Sequence, residues 1–286
     1  GKCFWMRVYE IPEGAKTSKG RAIQNLINIE QDDKVMAFIC TQDLKDEDYI
    51  NNHYVIMATK KGQVKKTSLE QYSRPRTNGI NAITIREDDT LLEAKLTTGE
   101  SQVMLALKSG KAIRFEEAKT RPMGRNASGV RGIRLQDEKT DEVIGMIAVD
   151  DMESNILVVS ENGYGKRSSL EDYRITNRGG KGVKTISITE KTGNLVSIKN
   201  VTDEDDLMII NKSGIAIRMA VADLRVMGRA TQGVKLINLK GSDSIAAVAK
   251  VMKDDEDEAV DIEITDSQDA NENGTAIDNN ETETEN

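Results

Sequence analysis

The chain has 286 residues, 40 basic against 48 acidic side chains, a net charge of −8, 37% hydrophobic residues and only 3% aromatic ones. No stretch approaches the roughly 18 to 20 apolar residues of a membrane-spanning helix, so a helical membrane protein is excluded. Cys3 and Cys40 lack CxxC spacing and His53 is the single histidine, so zinc and acid–base centres are not expected and a cytoplasmic chain with reduced thiols is.

In chain order, one plan recurs. Gly1 and Gly20 bracket a first copy that holds Trp5 and Arg7 but has no apolar run ahead of Gly1, so the chain is expected to begin inside a repeat. In the second, residues 54–58 form an apolar strand, Gly62 a turn, and a second strand carries Lys65 and Lys66; a loop with Arg74 and Arg76 then ends at Gly79. The third runs from the strand 103–107 through Gly110, Arg114, Arg121 and Arg125 to Gly129. There a further strand leaves with apolar Val130, Ile133 and Leu135 and basic Arg131 and Arg134. The fourth has a strand at 156–159, then Gly163, Lys166, Arg167, Arg174, Arg178, Lys181, Gly182 and Lys184. The fifth has a strand at 207–210, then Gly214, Arg218, Arg225, Arg229, Gly233 and Lys235.

The paired glycines lie 19 residues apart, or 17 in the second repeat, and should mark left-handed backbone or close approach. First glycines lie 61, 48, 53 and 51 residues apart, too long for helix-pair repeats and suited to four-stranded blades. The expected fold is all-β: a propeller-like array of about five repeats over residues 1–252. Residues 253–286 hold 14 acids against Lys253 alone, a net of −13, and too few apolar groups to offset ordering, so they read as a disordered acidic tail. The body is left with a net of +5. The tail is either solubilising or a competitor for what the basic face binds.

Four residues past the first glycine stand Lys66, Arg114, Arg167 and Arg218. Two past the second stand Arg131, Lys184 and Lys235, with the loop bases between. Alternation along a strand lets such bases occupy the face opposite the packed one. Their recurrence at one structural position predicts a positive rim that binds phosphates, and the lack of interleaved aromatics favours duplex DNA over single strands. The loop Asn177-Arg178-Gly179-Gly180-Lys181-Gly182 leaves backbone amides open to phosphate oxygens but has neither Walker A nor dinucleotide-binding order.

Residues 54–76 (YVIMATKKGQVKKTSLEQYSRPR), 121–135 (RPMGRNASGVRGIRL), 161–167 (ENGYGKR) and 226–234 (VMGRATQGV) resemble the C-terminal domain of the DNA gyrase A protein, as does the acidic tail. The resemblance implies a β-pinwheel that wraps duplex DNA to support ATP-dependent negative supercoiling by a type IIA topoisomerase. It implies no catalytic residue or cofactor in this chain, with ATP and Mg2+ acting elsewhere. It also implies a bacterial, nucleoid-associated A2B2 complex of gyrase A and gyrase B, with partners engaged through regions outside this sequence. One departure stands out. The family's wrapping box, QRRGGKG, belongs to the first of six blades, which would lie upstream of Gly1; Arg178, Gly179, Gly180, Lys181 and Gly182 match only its last five positions. The alternatives are the corresponding domain of topoisomerase IV and a propeller that serves as a protein-interaction scaffold.

Overall fold

The computed structural model describes residues 1–15, 18–30, 32–241 and 243–252; the acidic tail, and with it the expectation of disorder, lies outside the described residues. Among the described residues seventeen strands follow one another: β1 (Lys2–Cys3), β2 (Tyr54–Thr59), β3 (Gln63–Ser68), β4 (Ile80–Asn81), β5 (Leu91–Thr97), β6 (Gln102–Leu107), β7 (Lys111–Glu116), β8 (Val130–Arg131), β9 (Val143–Val149), β10 (Asn155–Ser160), β11 (Tyr164–Ser169), β12 (Val183–Lys184), β13 (Leu195–Val201), β14 (Asp205–Asn211), β15 (Ala216–Ala220), β16 (Val234–Lys235) and β17 (Ile245–Met252). A short helix, α1 (Glu47–Asn52), is N-capped by the Asp46 carboxylate, which accepts from the Asp48 and Tyr49 amides.

Among the described residues each repeat from the second to the fifth contributes an antiparallel hairpin and a long strand that pairs with the hairpin's first strand, while the first contributes only β1. A register shift recurs in that second pairing, at Ala58/Thr59, Ala106/Leu107, Val159/Ser160 and Ile210/Asn211, so a bulge beside the turn is part of the repeat. The sheets are β5-β2-β3-β8, β9-β6-β7-β12, β13-β10-β11-β16, the three-stranded β17-β14-β15 and the two-stranded β1-β4.

The short fourth strand does not belong to the repeat whose sheet it completes. β8 leaves the loop of the third repeat and pairs with β3 of the second; β12 and β16 do the same one and two repeats on. This exchange explains the glycine pairs. At Gly129 φ is +87° and a Cβ would lie 2.5 Å from the Val64 carbonyl oxygen. At Gly62 φ is +81° and a Cβ would lie 2.8 Å from the Ile133 carbonyl oxygen. These two glycines mark points where one repeat's backbone meets the next, where no side chain fits and left-handed backbone is required, whereas Gly20 and Gly214 share the left-handed backbone with open space around them.

Packing follows the same scheme. Val103, Met104, Leu105, Ala106 and Leu107 are all buried, because β6 is covered on both faces by neighbouring sheets. Its odd-numbered side chains join a core with Ile56 and Val64 of the preceding sheet, while Met104 and Ala106 join Ile156 and Val158 of the following one. Truncating Leu105 to alanine should cost about 2–5 kcal/mol.

Candidate nucleic-acid interface

The long strands β5, β9, β13 and β17 touch in succession. In each four-stranded sheet the short exchanged strand lies at the opposite edge, three strand spacings or roughly 14 Å away. Arg131, Lys184 and Lys235, on β8, β12 and β16, are exposed there. Arg74, Arg76, Arg121, Arg174, Lys181 and Arg225 are exposed on the preceding loops, and Arg125, Arg178 and Arg229 are half-buried.

The bases on the hairpins' second strands correct the sequence expectation. Lys65, Lys66, Arg114, Lys166 and Arg167 are buried, at 0 to 8% exposure, and so do not form an outer face. The reason is the exchanged strand and loop, which cover the strand that the alternation rule treats as open. The base four past the first glycine reaches into the next repeat. The Arg114 Nη1 donates to the carbonyls of Leu170 (2.6 Å) and Tyr173 (3.0 Å), Arg167 Nε donates to the Leu224 carbonyl, and Lys66 pairs with the buried Glu117 at 3.5 Å. Trp5, at the same position of the first repeat, donates from Nε1 to the Tyr72 carbonyl at 3.1 Å. All of these acceptors lie on or immediately after the 3-10 turn of the following repeat. Burial pushes the Arg114 guanidinium below its ordinary pKa, with Glu171 opposing. Arg218, in the last repeat, is exposed and bonds Asp206 across its own hairpin at 2.7 Å.

The loops are joined from repeat to repeat. The amides of Thr84, Arg134 and Ser187 donate to the carbonyls of Ala127, Gly180 and Thr231 of the following loops, at 3.3, 2.8 and 3.1 Å. The amides of Met123, Thr176 and Met227 bond the Lys66, Arg114 and Arg167 carbonyls at 2.8 to 2.9 Å. A continuous backbone band therefore carries the exposed bases. Arg134 is exposed on it as well; its place five residues past the second glycine was the signal that could have added it to the candidate residues.

In the box-like loop, Arg178 is held inward. Its Nε donates to the Lys119 carbonyl at 3.0 Å and its Nη1 to the Arg131 carbonyl at 3.1 Å, while the Gly179 amide bonds the Gly132 carbonyl at 2.6 Å. Arg229 repeats the contact one repeat on, with Nη1 on the Lys184 carbonyl at 2.9 Å. These arginines fix the strands that carry Arg131 and Lys184. At Gly182, φ is +71° and a Cβ would lie 2.6 Å from the Ala112 carbonyl oxygen, so this glycine serves the joint between repeats. Lys181 remains exposed.

Two lysines lie beneath the other loops. Lys65 Nζ donates to the carbonyls of Ala82 and Arg125, the latter at 2.7 Å, and Lys166 Nζ donates to the Gly228 carbonyl (2.5 Å) and Thr231 Oγ1 (3.1 Å). Burial lowers the pKa of each to about 8, with Arg125 adding to the effect at Lys65, and at Lys166 Asp172 opposing and Arg229 adding. Away from the band, His53 caps α1, with Nδ1 2.8 Å from the Tyr49 carbonyl oxygen, and burial pushes the Cys3 thiol up to about 11. Among the described residues no cluster of three or more metal-ligating side chains occurs.

The sequence matches the family "DNA gyrase C-terminal domain, beta-propeller" over residues 1–42, 53–98, 103–150, 154–202 and 205–252. It is 44% identical to the A protein of DNA gyrase from Staphylococcus aureus (strain NCTC 8325 / PS 47) over 259 residues, covering 90% of this chain and 28% of that protein. Against its counterpart in strain MRSA252 it is 43% identical over 273 residues, covering 95% of this chain and 30% of that protein. The chain therefore spans under a third of these relatives. Among solved structures it is similar to the C-terminal domain of DNA topoisomerase IV (TM-score 0.78, 23% identity, 88% of this chain and 76% of that one). It is also similar to a DNA gyrase A C-terminal domain (TM-score 0.74, 24% identity, 88% and 80%). At these identities the two structures speak for the fold.

Proposed function

The chain belongs to the family of the DNA gyrase C-terminal β-propeller domain, and we propose accordingly that it binds duplex DNA through phosphates along its loop band and bends the duplex over successive repeats. The observation that carries the reading is the recurrence of exposed Arg131, Lys184 and Lys235 on three exchanged strands, with loop bases between them and backbone bonds joining one loop to the next. Bending a duplex 20 to 30 base pairs long costs on the order of 1–6 kcal/mol, which many small phosphate contacts offset and a single site does not. A rigid row of bases suits that task. Two repeats that shifted independently would lose register with the backbone.

In this reading the chain is the wrapping part of a gyrase A protein in the bacterial cytoplasm. It presents a duplex segment to a cleavage centre in other parts of an A2B2 assembly, where ATP and Mg2+ act and negative supercoils are introduced. Lys65, Lys66, Arg114, Lys166 and Arg167 hold the frame, and the exposed bases meet DNA. Affinity measured across a salt series on two unrelated duplexes tests this. Both should weaken alike, with a log–log slope of about −0.9 for each phosphate contacted. A flat response, or strong preference for one sequence, overturns it. Relaxed circles closed in the presence of the chain should carry a linking-number shift if the duplex is wrapped, and none if it is merely bound.

A further inference from the structure

Lys65 and Lys166 occupy the same place in alternate repeats, third after the first glycine, where the remaining repeats have Phe4, Ile113 and Ile217. The loop that follows each lysine one repeat later contains Met-Gly-Arg, at 123–125 and 227–229. The loop that follows Ile113 is instead Asn-Arg-Gly-Gly, and a Cβ at its Gly180 would lie 3.4 Å from the Ile113 Cδ1. Isoleucine thus fills this position without a buried charge, so the sheet itself does not require lysine. Among the described residues neither ammonium makes an ion pair. An unpaired buried charge is costly, and here Lys65 donates to the Ala82 carbonyl of its own repeat and the Arg125 carbonyl of the next, and Lys166 to the Gly228 carbonyl and Thr231 hydroxyl of the next.

We propose that Lys65 and Lys166 are positioning residues: each holds the arginine loop of the following repeat by its backbone carbonyls and so sets how that loop presents Arg121 and Arg125, or Arg225 and Arg229, to a phosphate backbone. The DNA half of this inference rests on the function proposed above; the loop-holding half does not. The charged and titratable groups facing Lys65 are Arg125 and Tyr72, whose hydroxyl shares the Ala82 carbonyl; those facing Lys166 are Asp172 and Arg229. With both ammonium groups titrating near pH 8, each gives up its charge and one of its three N–H donors as the medium turns mildly alkaline, which weakens the charge-assisted bonds to its loop. The box-like loop above Ile113 has no such bond to lose.

The test uses Lys65→Met, Lys166→Met and the double variant in the full 286-residue chain. Amide exchange should quicken about tenfold, the equivalent of one lost charged hydrogen bond, in residues 123–128 after the first substitution and in 227–232 after the second, leaving 177–182 unchanged. Duplex affinity of the double variant at pH 7 should fall about tenfold, and the decline of wild-type affinity between pH 7 and 9 should vanish in it. A folded double variant with wild-type affinity and wild-type pH profile overturns the proposal. If the wild type itself ignores duplex DNA, the function proposed above fails, and loop exchange decides alone: unaltered exchange overturns the positioning role. Should the double variant not fold, the single variants carry the test, since each must loosen only the loop of the following repeat.

Discussion

Arg114 and Arg218 stand at the same position of two repeats, on the same strand of equivalent hairpins, and do different things. Arg114 is buried and its guanidinium is spent on Gln102 and on two carbonyls of the next repeat; Arg218 is exposed and pairs with Asp206 of its own hairpin. The exchanged strand β12 and its loop cover β7, whereas in the sheet of β15 no fourth strand occurs among the described residues. A base in this fold is therefore a bracket or a surface charge according to what the next repeat places over it.

Stability measurements put the two arginines to the test. Arg114→Ala should lose about 3–5 kcal/mol in denaturant unfolding, because it strands the Leu170 and Tyr173 carbonyls in the interior. Arg218→Ala should lose less, about 1–2 kcal/mol, because its guanidinium is exposed although its partner Asp206 is buried. Equal losses would mean that the neighbouring repeat does not set the role. Next in size is the glycine pair. Gly182→Ala meets the Ala112 carbonyl oxygen at 2.6 Å as well as left-handed strain, and should cost at least about 2–3 kcal/mol. Gly214→Ala has the strain at φ +88° but open space around it, and should cost about 1–2 kcal/mol.

Alkaline stability separates the repeats with lysine beneath the loops from those with isoleucine there. Folded Lys65 and Lys166 titrate near 8 and ordinary lysine near 10.5, so between these values the unfolded chain holds more protons and stability rises with pH. The gain, on the order of 1 kcal/mol per lysine, should be absent from Lys65→Met and Lys166→Met when unfolding is followed from pH 8 to 10. The smallest effect belongs to the surface. Removing any one of Arg131, Lys184 or Lys235 should weaken duplex binding severalfold without altering stability, and reduce the salt slope by about 1. A larger loss from Arg178→Ala than from Lys181→Ala would show that holding the strand of Arg131 matters more than one exposed charge.

The period, the hairpins and the glycine pairs were legible in the sequence, because apolar runs broken by a turn glycine are local features. The exposed loop bases were legible for the same reason: a polar loop at a fixed offset lies on the surface wherever its hairpin goes. The sequence also contained the third-position alternation of Lys65, Ile113, Lys166 and Ile217, but nothing local marks a lysine as buried.

Local pattern therefore sufficed for a chain of like hairpins, each with a basic loop and a short apolar-basic strand after it. Which sheet that strand completes was settled by long-range packing. Two residues such as Val130 and Arg131 make too few backbone bonds to select a partner alone, and the partner is chosen by the glycine gaps at Gly62 and Gly129 and by the side chains that close over them. That choice buried Lys66, Arg114 and Arg167 as brackets between repeats and left Arg131, Lys184 and Lys235 outside. Alternation within a strand gives a side chain's direction, but whether that direction ends in water or in the neighbouring repeat depends on contacts more than 50 residues away in the chain.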